Sequence, residues 1–158
     1  ATRLADSATG AGDATTFNST EGVLYVEIAA LVDSTPPIYI SLSDGTTNNR
    51  ISILLQDIRV RPFIRVGNVE QAGFSVSLGD NSIYHKIAFK YKENDFALWV
   101  NGVELGVDAS GLTYSPNTLN KLSFDNGGGG LIFQGKVKAL AVFNEALTDS
   151  ELECLTKI

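Results

Sequence analysis

The chain has 158 residues but only one cysteine, Cys154, and one histidine, His85. A single cysteine excludes an internal disulfide. One cysteine with one histidine also supplies too few nitrogen and sulfur ligands for a zinc site. No apolar run approaches the ~20 residues needed to cross a bilayer, so no membrane insertion is predicted. Residues 1–20 lack a basic flank followed by an apolar run, so no secretory signal is predicted there.

Positive charge is also scarce. The chain carries 12 Lys and Arg against 18 Asp and Glu, which gives a formal net charge of −6 and a pI of about 4.7. Nucleic-acid binding needs a basic patch, so this balance predicts no nucleic-acid partner. The 44% hydrophobic and 19% charged content is typical of an ordinary globular domain and argues against a disordered chain.

Short segments of alternating apolar and polar residues fill the chain from Val23 onward. About ten such segments, separated by turn clusters such as DGTTNN and GDNS, have the spacing typical of an all-β sandwich or barrel. We therefore assign residues 21–158 to one sandwich domain. Residues 1–20 are rich in Ala, Thr, Ser, Gly and Asp, and they predict a leader or linker with an edge strand around Thr15 to Asn18.

The segment DFALWVNGVELG, residues 95–106, predicts a β-hairpin. Phe96, Leu98 and Val100 alternate with Ala97 and Trp99, which is the pattern of a half-buried strand. The Asn-Gly dipeptide that follows tolerates positive φ at both central positions of a tight turn. Trp99, the only tryptophan, is therefore expected on the face opposite the core.

One segment predicts a short helix. In LTDSELECLTK, residues 147–157, Thr148 is an N-cap candidate and Glu151 stands three positions later, which is the capping-box arrangement. Asp149, Glu151 and Glu153 form the one cluster of alternating acids in the sequence. On a strand such acids would converge as an acid and a nucleophile, but on a helix they do not. The sequence thus predicts no catalytic residues.

Three further features have simple structural interpretations. His85 stands at the start of a predicted strand, where a lone histidine is typically a structural hydrogen-bonding group. Cys154, on the predicted helix, is expected to be a small buried side chain. The DNGGGG segment, residues 125–130, lacks the Gly-Lys-Ser/Thr ending of a phosphate loop, so we interpret it as a surface loop.

Three segments that lie in order along the chain resemble a known superfamily. Residues 85–106 are similar to a His-x-Val-Ala-x-x-Tyr strand that precedes one ending in Tyr-Val-Asp-Gly, and residues 133–155 to a closing segment Phe-x-Gly-x-Ile followed by Ala-Leu-Thr-x-x-Glu-Ile. Residues 17–28, FNSTEGVLYVEI, resemble the opening Phe-x-Gly-x-x-x-x-Val strand. Together they resemble the concanavalin A-like lectin/glucanase superfamily, specifically its laminin-G-like jelly rolls. TRLAD near the start and NKLSFDNGGG are also similar to domains at the distal ends of phage tail fibres.

The resemblance implies a two-sheet antiparallel jelly-roll sandwich with a short C-terminal helix. It implies a non-catalytic carbohydrate-binding module of a larger protein, which recognises a polysaccharide or a cell-surface glycan and is located outside the cell or on a virion surface. The alternative is a structural or assembly domain at the tip of a virion fibre, which binds protein or forms a homo-oligomer such as a trimer.

Some members of this superfamily bind a structural calcium ion, and here the matching stretch lacks their aspartate. The stretch Gly135-Lys136-Val137-Lys138-Ala139 offers no side-chain oxygen to a hard cation. No cofactor and no metal site are therefore expected, although Asp13, Asp125 and backbone carbonyls remain as oxygen donors.

The strand IRVRPFIRVG carries the most unusual charge pattern. Arg59, Arg61, Phe63 and Arg65 share one face. The other face carries Val60, Pro62, Ile64 and Val66. Three arginines beside an aromatic ring suit an anionic glycan, because the planar guanidinium binds carboxylate or sulfate bidentately. The alternative is a solvated outer face whose charges discourage edge pairing, and Pro62 favours an edge strand or a bulge.

Lys90 and Trp99 complete the predicted ligand-binding set with these four residues. Each is out of phase with the core positions of its own strand, so each is expected on an outer sheet face. An aromatic ring with polar groups at its rim suits a sugar. The alternative for Trp99 is a secondary core under a loop or the helix.

Overall fold

The computed structural model of the protein describes residues 12–31 and 34–158. Within these residues the chain forms eleven strands and one helix. The strands are β1 (Glu21–Ala30), β2 (Ser34–Ser43), β3 (Arg50–Asp57), β4 (Arg59–Val66), β5 (Val69–Gly73), β6 (Val76–Ser77), β7 (His85–Lys92), β8 (Phe96–Val100), β9 (Val103–Asp108), β10 (Lys121–Ser123) and β11 (Gly135–Phe143), and the helix is α1 (Asp149–Thr156). No helix in the described part of the chain is both long enough and apolar enough to span a membrane.

The strands form two antiparallel sheets. Sheet A has the order β11-β1-β7-β8-β9, and sheet B has the order β10-β2-β3-β4-β5, with β6 also paired to β4. Neighbours in each sheet are often distant in sequence, so the chain repeatedly crosses between the sheets. The predicted all-β sandwich with a short C-terminal helix is confirmed.

A continuous apolar core fills the space between the sheets. Alternate residues of every long strand point inward, as the period-two pattern requires. Sheet A contributes Leu24, Val26, Ile28, Ile87, Phe89 and Leu98, and sheet B contributes Ile40, Ile51, Ile53, Leu55, Val60 and Ile64. Each such side chain contributes roughly 1.5–3 kcal/mol on full burial, so the inward positions set which residues are left to face outward.

The hairpin of residues 95–106 forms as predicted. Asn101 and Gly102 both adopt positive φ, 51° and 82°, and join β8 to β9. Phe96, Leu98 and Val100 lie in the core, and Trp99 lies on the opposite face of sheet A.

Helix α1 covers that outer face of sheet A. Thr148 caps the helix: its hydroxyl accepts from the Glu151 amide, and the Glu151 carboxylate accepts from the Thr148 amide, as the capping box predicts. Leu152 is fully buried in a second apolar cluster with Trp99. Cys154, which was expected to be buried, is exposed because it lies on the solvent side of the helix.

Two details of the predicted strands are wrong. Residues 15–18 do not form an edge strand; residues 14–16 form a turn, because the Asp13 carboxylate accepts hydrogen bonds from the amides and hydroxyls of Thr15 and Thr16. The segment VEQAGFSVSL, residues 69–78, is one of the alternating segments expected to be a single strand, but it is broken into β5 and β6, and its partner β4 carries Pro62 at the level of the break. Residues 1–11 of the predicted leader lie outside the described residues.

Leu152→Ala is expected to destabilise the fold by about 2–5 kcal/mol, because it removes a fully buried side chain from the cluster beneath α1. The neighbouring Glu153→Ala, an exposed position on the same helix, should change stability by less than about 0.5 kcal/mol. Equilibrium denaturant unfolding measures both. Equal midpoints for the two variants would mean that α1 is not packed on sheet A.

Candidate functional site: an arginine face on sheet B

Four of the five arginines in the chain lie on the outer face of sheet B. Three come from β4, where the inward packing of Val60 and Ile64 turns the alternate positions outward. The fourth is Arg50, the first residue of β3, which lies directly opposite Arg65 in the sheet. We call the surface formed by Arg50, Arg59, Arg61, Phe63 and Arg65 the arginine face.

Arg50 and Arg65 share one aromatic ring. Their guanidinium carbons lie 4.9 Å and 5.3 Å from the centre of the Phe63 ring, and Arg50 also lies 5.6 Å from that of Tyr39. Cation–π contacts of this kind hold a guanidinium in place without neutralising it. Phe63 therefore packs beneath two guanidinium groups. Because its ring is itself buried, it is not available for a sugar to stack on.

Arg50 and Arg65 have no anionic partner within the part of the chain that the structure describes. No ion pair joins any arginine of this face to a carboxylate among the described residues. The Nε atoms of Arg50 and Arg65 are buried without a hydrogen-bond partner. Burial and, next, the charge of Arg65 lower the pKa of the Arg50 guanidinium from its ordinary value. Unpaired like charges directly opposite each other in a sheet are destabilising, so this pair does not account for the stability of the fold.

The backbone around the pair is held firmly. The buried Tyr114 hydroxyl donates to the carbonyl of Arg65 over 2.8 Å, which fixes the end of β4. Gly67, in the turn to β5, donates its amide to the Asn49 side chain over 2.8 Å. The register of β3 and β4 thus holds Arg50 and Arg65 side by side before any ligand arrives.

The 125–130 loop forms a wall along one side of the arginine face. Its carbonyls accept hydrogen bonds from three side chains of sheet B: Asp125 from Ser41, Gly127 from Ser43, and Asn126 from Arg50. This loop leaves Arg50 only 6% exposed. Arg59 and Arg61 are exposed and Arg65 is half-buried, so the β4 side of the face stays open.

The wall continues into the loop between β2 and β3. A side chain at Gly128 would lie 3.0 Å from the Thr47 methyl group, so the two loops are in close contact. Residues 44–49 are held by the Asp44 carboxylate, which accepts from Thr46 and from Asn49. The result is a polar rim of hydroxyl, amide and backbone groups beside the arginine pair.

Lys90 and Trp99 do not belong to this face. Both lie on the outer face of sheet A, on the other side of the sandwich. Trp99 is 8% exposed beneath α1, and Lys90 is 7% exposed in an ion pair with Asp95 at 2.6 Å. The predicted ligand-binding set therefore does not lie on one face, because Lys90 and Trp99 belong to sheet A and the arginines to sheet B. Trp99 fills the secondary core that was its alternative.

The remaining oxygen donors and the histidine have local structural partners. Hydrogen bonds from Thr15 and Thr16 lower the pKa of Asp13 to about 2. Asp125 accepts from the Ser123 hydroxyl and the Gly127 amide. No group of three or more His, Cys, Asp or Glu among the described residues could hold a metal ion. His85 is buried, with its Nε2 2.7 Å from the Asp80 carbonyl and its Nδ1 2.9 Å from the Asn101 amide nitrogen.

Arg50 is the residue that sequence reasoning missed. It is in phase with Ser52, Leu54 and Gln56, and out of phase with the core residues Ile51, Ile53 and Leu55. A tight turn at Asp57, which adopts a φ of 51°, pairs Gln56 with Arg59 and hence Arg50 with Arg65. The alternation of β3 therefore indicates that Arg50 faces outward. Its pairing with Arg65 depends on the length of the turn at Asp57, which the residue types in the turn do not predict.

The fold is similar to lectin-like jelly-roll sandwiches of known structure. The CBM40 of the Ruminococcus gnavus IT-sialidase matches with a TM-score of 0.74 at 15% identity, covering 99% of this chain and 96% of that one. The same CBM40 bound to α2,3-sialyllactose gives a TM-score of 0.72 at 16% identity, covering 92% and 91%. Domain 4 of AbnA, a GH43 extracellular arabinanase from Geobacillus stearothermophilus, in complex with arabinotriose, gives 0.71 at 14% identity, covering 92% and 70%. Neither a family model nor a curated protein matches the sequence. Identities this low establish the fold alone.

A double-mutant cycle of Arg50→Met and Arg65→Met is expected to give a coupling energy of about 0.2–1 kcal/mol that opposes folding, because the two cations repel each other in the folded state. The coupling should shrink as salt screens the pair. Denaturant unfolding at low and high ionic strength measures it.

A control cycle combines Arg50→Met with Arg59→Met, since the latter pair lies at opposite ends of the face. Its coupling energy should be close to zero at both salt concentrations. A stabilising coupling between Arg50 and Arg65 would show that the pair is neutralised by a partner and would contradict this description of the site.

Proposed function

We propose that this chain is a non-catalytic carbohydrate-binding domain that recognises an acidic glycan on its arginine face. One observation carries the proposal: Arg50 and Arg65 lie side by side with no carboxylate partner among the described residues. A folded protein tolerates such a pair at a cost in stability, and an anion that bridges the two guanidinium groups would offset that cost. Arginine suits this role because its fork of donors matches a carboxylate or sulfate.

The surroundings of the pair suit a sugar. The rim of residues 44–49 and 125–130 is rich in Thr, Asn, Asp and Gly, whose hydroxyl, amide and backbone groups can exchange hydrogen bonds with sugar hydroxyls. The rigid backbone around Arg65 lowers the entropy lost on binding. The jelly-roll neighbours include one solved with α2,3-sialyllactose, which carries a carboxylate, and one solved with arabinotriose. The latter belongs to an extracellular enzyme, and an extracellular location is part of the proposal.

A catalytic role is not favoured by the acidic residues. Asp149, Glu151 and Glu153 lie exposed on α1, on the opposite sheet from the arginine face. Hydrogen bonds from the Thr148 amide and hydroxyl lower the pKa of Glu151, which is the reverse of what a general acid needs. These carboxylates serve the helix terminus.

We expect an acidic oligosaccharide such as 3′-sialyllactose or an oligogalacturonate to bind, and neutral lactose not to bind. Arg65→Gln should lower the affinity by about tenfold or more, because a charge-assisted hydrogen bond contributes about 1.5–3 kcal/mol. An acidic-glycan array selects the ligand, and isothermal titration calorimetry measures the affinity. Raising the salt concentration should weaken the binding.

Two control variants separate the faces. Lys136→Gln makes the same charge change at an exposed position on sheet A, and Trp99→Phe trims the buried ring beneath α1. Both should bind like the wild-type protein, and Trp99→Phe should only lose stability. The proposal fails if no acidic glycan binds, or if Arg65→Gln and Lys136→Gln have equal effects.

Self-assembly is a second candidate, favoured by one observation. The edge strand β9 exposes Val103, Leu105 and Val107, which are 55%, 41% and 61% exposed. Sedimentation velocity over a hundredfold dilution range tests it. A stable oligomer that dissociates in the Val107→Lys variant would favour assembly. A monomer at all concentrations would exclude self-assembly and leave glycan recognition as the remaining candidate function.

A further inference from the structure

The open part of the arginine face is longer than one sugar. Arg59, Arg61 and Arg65 follow one strand, so the first and last lie about 20 Å apart at roughly 3.4 Å per residue. Arg61 makes no hydrogen bond or ion pair with a described residue, and Arg59 makes only long contacts of 3.3–3.4 Å to Ser75. The cationic groups therefore continue well beyond the Arg50–Arg65 pair.

The face is open along β4 and closed on the side towards β10. Across the sheet, at the level of Arg65, the 125–130 loop covers Ser43 and Arg50 and blocks a path towards β10. Along β4 most flanking positions are small or polar: Ser52 and Gly73 lie opposite Phe63, and Gln56 and Ser77 lie opposite Arg59. Opposite Arg61 the flanking residue is apolar, the buried Leu54. A long ligand that reaches Arg65 is therefore blocked on the β10 side, and β4 offers it a row of further cations.

Glu70 is the one described carboxylate that the strand pairing places opposite an arginine of this face. Glu70, opposite Arg65 on β5, makes no ion pair with it, and its carboxylate lies beside Gly73. The chain as a whole is acidic, so the row is a narrow cationic strip on a protein that otherwise repels polyanions. Such a strip selects for a ligand whose charges lie in a line.

We propose that the arginine face binds an internal segment of a linear polyanionic polysaccharide, laid along β4, with successive acidic groups at Arg65, Arg61 and Arg59. This inference rests on the proposed function, in which the Arg50–Arg65 pair binds an acidic group. It adds that the ligand is a chain with repeated carboxylate or sulfate groups, bound along its length and not only by one terminal acidic sugar. The shared chemistry of polyuronates and sulfated polysaccharides is the regular spacing of the anions.

The test is a length series. Oligogalacturonates of one to eight residues, a chondroitin sulfate series, 3′-sialyllactose and a methyl-esterified oligogalacturonate are titrated calorimetrically into the wild-type protein. We expect the affinity for at least one charged series to rise by about tenfold or more with length and then level off once the row is covered. The esterified chain should not bind, and comparison of the two charged series identifies the anionic group.

Substitutions test whether the increase in affinity with ligand length depends on Arg59 and Arg61. Arg59→Gln/Arg61→Gln should abolish the rise with length, whereas Arg65→Gln should weaken the binding of every length. Lys136→Gln/Lys157→Gln, at exposed positions away from sheet B, makes the same charge change and should keep the rise. Thermal unfolding verifies that each variant is folded.

Failure of this inference is distinct from failure of the proposed function. If short and long acidic ligands bind equally, or if the double arginine variant keeps the full rise with length, the extended site is wrong and the single acidic site stands. If no acidic ligand of any length binds, both are wrong.

Discussion

The inward packing of β3 and β4 against sheet A is the constraint on which the rest of this structure depends. Burial of Ile51, Ile53, Val60 and Ile64 fixes both strands in one register, because a slip of one residue would turn every apolar side chain outward. That register places Arg50 opposite Arg65. The free energy gained by burying the core therefore offsets the repulsion between the two arginines, and the register of the core determines which residues lie on the outer face.

Local patterns predict much of this fold. Alternation separated Trp99 from the core side of β8, the Asn-Gly pair gave a turn with two positive φ angles, and Thr148 with Glu151 gave the start of α1. Each of these depends on residues close in sequence. The break between β5 and β6 was missed because the residues on either side keep the alternation through it.

The candidate site could be predicted only in part, because alternation shows which residues share a face but not which strands share a sheet. The arginines of β4 were found in this way, whereas Trp99 and Lys90 were assigned to the same face although their strands pair in sheet A. Arg50 enters because the tight turn at Asp57 pairs it with Arg65, and the wall beside it comes from a loop 76 residues further along the chain. The contact with that loop has no local signature.

The sheet topology also weighs against the alternative explanation of the arginines. Charges on an outer face protect a strand at the edge of a sheet from pairing with another chain, but β4 is paired with β3 on one side and with β5 and β6 on the other. Pro62 lies where the partner strand is broken, so it does not mark an edge. A solvated face without a ligand would also be expected to mix charges of both signs, as neighbouring opposite charges stabilise a sheet. A row of cations on an interior strand, unpaired with any described carboxylate, therefore fits the proposed acidic ligand better than it fits a strand edge protected from pairing.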